Sequence, residues 1–114
     1  MNVILILILF IISVRADAEK IGVNNGLLGD NLPPQEEVVS LMKKNNIGKY
    51  RIYKQEPTVF KAFANSGIEI IVGVANFDLQ RISSSQGAAS KWVKESIKPY
   101  FPATNIKYIA VGNE

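Results

Sequence analysis

The sequence predicts an α/β fold built on parallel strands, and three observations carry that prediction. Short apolar, β-branched segments alternate with segments of helical periodicity. The alternation repeats three times and closes on a strand, the order of strand–helix–strand units with right-handed crossovers. The last two strand segments, Ile68 to Val74 and Ile106 to Gly112, are nearly continuous in apolar residues. That continuity marks strands covered on both faces. A doubly wound open sheet and an eight-stranded barrel both satisfy the pattern. A complete barrel requires eight strands and about 250 residues, and these 114 residues hold half of that.

The elements come in order. Ile21-Gly22-Val23 is a short strand running into Asn24-Asn25-Gly26. Pro33 and Pro34 delay any helix until residue 35. Gln35 to Asn46 has Val38, Val39, Leu41 and Met42 at helical spacing, with Glu36 and Glu37 in the first turn and Lys43 and Lys44 in the last. Those charges complement the helix dipole. Lys49 to Tyr53 is the second strand. Pro57 opens a second helix that turns Phe60, Phe63 and Ala64 inward and stops near Ser66-Gly67. Ile68 to Val74 is the third strand. The polar stretch from Asn76 to Ser85 reads as a loop with one helical turn at Leu79 to Ile82. Gly87 to Lys98 is a helix with Ala89, Trp92, Val93 and Ile97 on one face, ended by Pro99 and Pro102. Ile106 to Gly112 is the fourth strand, with Asn113 and Glu114 after it.

The N-terminus has a separate character. Val3 to Ile12 is an unbroken apolar run, and Ala16-Asp17-Ala18 places small residues where a signal peptidase reads. The run is shorter than the ~20 residues that span a bilayer. Residues 1–18 are therefore expected to be a secretory signal peptide, cleaved after Ala18, leaving no stable membrane anchor. The n-region departs from the usual pattern in having no Lys or Arg.

Composition narrows the chemistry. The net charge is +3, and no basic cluster is longer than Lys43-Lys44, which argues for a soluble basic surface and against a nucleic-acid partner. The chain has no Cys and no His. A disulfide framework, a Ser-His-Asp triad, a Cys nucleophile and a Cys/His zinc site cannot be built from it. No metal or cofactor is expected. Gly22, Gly26 and Gly29 lack the spacing of a dinucleotide-binding turn. Carboxylates, amides, Tyr and Lys remain.

In parallel α/β folds, chemistry sits at the C-terminal ends of the strands. The strand ends here lead into Asn24 and Asn25, then Tyr53 and Lys54, then Asn76 to Asp78, then Asn113 and Glu114. Amides and an aromatic suit a sugar, whose hydroxyls need fixed donors and acceptors and whose ring faces pack on aromatics. Amides at strand ends also satisfy turns. Glu114, the acid after the fourth strand, is the candidate acid or base.

The segments Ile21-Gly22-Val23-Asn24-Asn25-Gly26, Gly29-Asp30-Asn31-Leu32-Pro33, Arg51-Ile52-Tyr53, Val74-Ala75-Asn76-Phe77-Asp78-Leu79, Trp92-Val93 and Tyr108-Ile109-Ala110-Val111-Gly112-Asn113-Glu114 carry a resemblance. In this order and spacing the chain resembles the N-terminal part of plant glucan endo-1,3-β-glucosidases of glycoside hydrolase family 17. The resemblance covers nearly all of Lys20 to Glu114. It implies that residues 19–114 form the first half, about four βα units, of a (β/α)8 TIM barrel. It implies cleavage of internal bonds in β-1,3-glucan with retention, and no obligate protein partner. Glu114 matches the general acid/base. Asn113 matches the Asn that contacts the hydroxyl beside the reacting carbon, and Tyr53 an aromatic of the cleft. Asn24 and Asn76 complete the expected substrate-binding set.

A retaining mechanism needs two carboxylates about 5–5.5 Å apart. The family's nucleophile lies after the seventh strand. Glu69 lies at the start of the third strand, Glu95 on a helix, and no family pattern marks Asp78, so the chain carries half an active site. Two departures stand out: Asn25 occupies a position where the family usually has Tyr, and Lys54 comes directly after Tyr53. The resemblance places the protein outside the cell, at the wall, or in the vacuole if a sorting tail exists. The alternative is a truncated, non-catalytic product that binds β-glucan or a partner. The reading frame beyond the Glu114 codon separates the two.

Overall fold

A single parallel sheet with strand order β1-β2-β3-β4 organises the chain. The structure, a computed structural model, describes Lys20–Asn113. The expected signal peptide, its cleavage site and Glu114 lie outside those residues. The elements are β1 (Ile21–Asn25), α1 (Gln35–Lys44), β2 (Ile47–Ile52), α2 (Pro57–Ala62), β3 (Glu69–Val74), α3 (Asn76–Ser83), α4 (Gln86–Ser96) and β4 (Asn105–Val111). Each strand pairs in parallel with the strand before it. This is the arrangement of successive units around a barrel wall, and it differs from a doubly wound sheet, whose strand order reverses at a switch point.

The register separates two faces. Val23, Tyr50, Ile70 and Ile106 lie in one row across the four strands. This face meets the helices. Val39 and Met42 of α1, Val59 and Phe60 of α2, Phe63 just beyond it, and Trp92 of α4 form one buried cluster with Tyr50, Ile52, Ile70, Val72 and Val74. Each large apolar side chain removed from water contributes about 1.5–3 kcal/mol. Phe63 stacks on Tyr50 with centroids 4.6 Å apart, and Phe60 meets Tyr100 at 5.1 Å. Buried Thr104 donates its hydroxyl to the Phe60 carbonyl, and Asn65 N–H donates to Ala103 O at 2.7 Å. These bonds tie the approach to β4 onto α2. The opposite face carries Asn24, Arg51, Ile71 and Tyr108 in one row. Near its N-terminal edge, Lys107 bonds Glu69 at 3.1 Å, which holds the lysine pKa above its usual value.

Three expectations need correction. Asn76 to Ser85 is not a loop with one turn: α3 runs from Asn76 to Ser83. Its polar composition concealed a short surface helix that half-buries Leu79 and Ile82 and pairs Asp78 with Arg81 at 2.8 Å. Leu41 does not join the core face of α1; it is 61% exposed, while Val39 and Met42 are buried. Helix α1 ends at Lys44 because Asn46 takes a positive φ of 56°, and β2 begins earlier than expected, at Ile47. Elsewhere the expected boundaries shift by a few residues. Ser85 caps α4 by accepting the Ala88 N–H at 3.0 Å, as an N-cap serine does.

Candidate active site

The ends of β2, β3 and β4 deliver Tyr53, Asn76 and Asn113 to one cleft of about 320 Å³. Its remaining wall includes Gly26, Leu28, Lys54 and Phe77. The chain turns away from the sheet after Ile52, after Val74 and after Val111, so the first side chains past each strand line the same opening. Gly73 makes this packing possible. A Cβ there would collide with the Tyr53 backbone, so the chain leaving β2 lies directly against β3.

The candidate residues hold different positions. Tyr53 is half-buried, and the Arg51 guanidinium carbon stands 4.7 Å from its ring centroid. Arg51 Nε is buried without a hydrogen-bond partner among the described residues. Lys54 reaches Glu56 at 3.2 Å. Asn76, the first residue of α3, accepts the Asn113 N–H on its Oδ1 at 3.0 Å. Asn24 is not in this cleft. It lines a separate depression of about 290 Å³ along β1, β2 and β3 with Gly22, Lys49, Arg51 and Ile71 among others. Glu114 comes next after Asn113 in the chain and lies outside the described residues.

Asn25, where an aromatic was expected, is committed to the fold. Its Nδ2 donates to the Tyr50 hydroxyl at 2.7 Å and its Oδ1 accepts the Leu27 N–H at 2.8 Å. Tyr50 in turn donates to Gln35 Oε1 at 3.2 Å. Burial raises the Tyr50 pKa, partly offset by the bond from Asn25.

No carboxylate among the described residues lines the cleft. Glu69 is occupied by Lys107, Asp78 by Arg81, and Glu95 lies 3.9 Å from Lys91 on α4. Phe77 and Leu28 are cleft residues that the sequence alone did not single out. They are 80% and 90% exposed, and a Phe directly after a strand-end Asn was the available signal.

Comparison with known proteins decides the family. The sequence model of Glycosyl hydrolases family 17 matches residues 21–114. The chain belongs to this family. A glucan endo-1,3-beta-glucosidase of Pisum sativum is 44% identical over 95 residues, covering 83% of this chain and 26% of that protein. A glucan endo-1,3-beta-D-glucosidase of Olea europaea is 46% identical over 94 residues, covering 82% and 20%. The solved structure of CJP38, a beta-1,3-glucanase and allergen of Cryptomeria japonica pollen, superposes with a TM-score of 0.82 at 61% identity, over 84% of this chain and 30% of that one. This family 17 chain spans about a quarter of the length of the curated relatives it matches. Its four strands and their crossovers are the first half of a (β/α)8 barrel.

Proposed function

We propose that this chain supplies the first half of the active site of a secreted or vacuolar endo-1,3-β-glucanase. Glu114 serves as general acid/base, and the nucleophilic carboxylate comes from outside these residues. The observation that carries the reading is the cleft itself. Tyr53, Asn76 and Asn113 share it, and the family match runs through Glu114, the next residue. The names of the relatives supply the substrate class.

In the proposed reaction the ionised nucleophile attacks the anomeric carbon, and the bond to the leaving glucan oxygen breaks. Glu114 gives its proton to that oxygen. Water then attacks the anomeric carbon and displaces the carboxylate while Glu114 takes a proton back, so configuration is retained. Asn113 holds the hydroxyl beside the reacting carbon. Tyr53 and Phe77 offer apolar faces to sugar rings. Asn24, in register with Arg51 two positions before Tyr53, binds substrate deeper along the sheet.

The test is a chimera in which residues 20–114 replace the matching segment of the Pisum sativum relative. It should hydrolyse β-1,3-glucan. Glu114→Gln should lower the rate on polymer by about 10²–10⁴-fold, the range for general acid catalysis. The loss should be smaller on an aryl glucoside with a good leaving group, which departs with little protonation. Equal losses on both substrates in the glycosylation step would sink the acid role. Glucan binding by a chimera without hydrolysis would favour the non-catalytic alternative.

A further inference from the structure

We propose that Asn76 is a positioning residue for the proton donor and makes its contribution through the backbone of Asn113. This rests on Glu114 acting as the general acid. The β3–β4 ladder ends at the pair Val74 and Val111. Beyond it, β3 has become α3, whose carbonyls turn along the helix axis and no longer face β4. The chain leaving β4 still presents two N–H groups. Gly112 N–H reaches the Val74 carbonyl at 3.3 Å. Asn113 N–H has no strand carbonyl opposite it and takes the Asn76 side-chain oxygen at 3.0 Å. That oxygen stands in for the missing strand acceptor.

The same junction is braced sterically. Gly112 has a φ of +92°, and a Cβ on it would lie 3.3 Å from Leu79 Cδ1 of α3. A positive φ there turns the chain, as Gly does without steric cost. The first turn of α3 therefore constrains β4's exit at two successive residues, leaving little room for a side chain at Gly112 and hydrogen-bonding Asn113. Glu114 is bonded covalently to the second of them. A misplaced acid loses rate without losing substrate, because orientation of the reacting groups supplies much of the rate.

The consequence differs from that of a sugar ligand. Removing a substrate contact raises KM, whereas misdirecting an acid lowers kcat most where proton transfer is most needed. In the chimera, Asn76→Ala should lower kcat on β-1,3-glucan by about 10–100-fold, with KM within about twofold. The loss on an activated aryl glucoside should be several-fold smaller. Asn76→Asp keeps an oxygen acceptor at the same reach and should recover most of the rate, each variant being read at its own optimum pH. Combined with Glu114→Gln, Asn76→Ala should add little, since both act through one group. If the alanine variant fails to fold, Asn76→Gln, which displaces the oxygen by one methylene, must show the same substrate dependence. A raised KM with unchanged kcat, or equal losses on both substrates with no recovery by Asp, overturns the positioning role. Full activity of Glu114→Gln would instead overturn the acid assignment, whatever the Asn76 variants do.

Discussion

Tyr50 shows how one side chain decides the use of its neighbours. Its ring is buried against Phe63, and its hydroxyl joins Asn25 to Gln35. Tyr50→Phe keeps the ring but leaves the Asn25 amide and the buried Gln35 side chain without that partner. The expected cost is about 1–3 kcal/mol, read as a lowered denaturation midpoint. The pH dependence has a definite sign. Burial raises the folded-state pKa, so the folded protein keeps this proton above the unfolded phenol's value of about 10. A raised folded pKa contributes stability that is fully present below the unfolded value and is lost as pH climbs through the higher folded one. The phenylalanine variant should lack this part of the alkaline slope, and a slope identical to the parent's would count against it. The candidate residues were legible to different degrees. Tyr53 follows β2 directly and Asn113 stands two residues past β4, and strand ends can be read from apolar runs. The commitments of Asn25 to Tyr50 and of Asn76 to Asn113 depend on partners 25 and 37 residues away, and no local pattern reports them.

Gly73 is where two strands settle how closely the site's walls can approach. Gly73→Ala would place a methyl group into the Tyr53 backbone. The neighbour is main chain, so it cannot rotate aside. Overpacking of this kind costs about 1–3 kcal/mol, and the displacement falls on the segment that carries Tyr53. The variant should melt lower and, in the chimera, bind glucan more weakly. An unchanged melting temperature would show that β2 can yield there. Elements with strong periodicity were the legible ones. The α4 segment puts Trp92 and Ile97 in the core, and β3 has Ile70 and Val72 fully buried. Helix α3 is not legible in the sequence because nothing on it is fully buried. Its helicity comes from half-buried Leu79 and Ile82 and the Asp78–Arg81 pair, a signal weaker than the turn propensity of its Asn and Ser residues.

At the scale of the whole molecule, the outer strand β4 runs out of cover. Val111 pairs with buried Val74, yet Val111 is 71% exposed. Tyr108 on β4 and Ile21 on β1 are exposed as well. Both outer strands also have unpaired edges among the described residues, and such edges invite strand pairing between molecules. Residues 19–114 expressed alone should self-associate or precipitate, whereas the chimera should stay monomeric. A monomeric segment with a sharp two-state melt, measured by sedimentation and calorimetry, would contradict this. The strand order has a kinetic corollary. Every strand after the first finds its partner in the strand synthesised just before it. Among the described residues no pairing waits on sequence far downstream, so loop-closure entropy stays modest at each of these steps. Emerging from a ribosome, β2 can dock on β1, then β3 on β2, then β4 on β3. The sheet can assemble in the direction of translation, with its newest edge always the one that the next strand will cover.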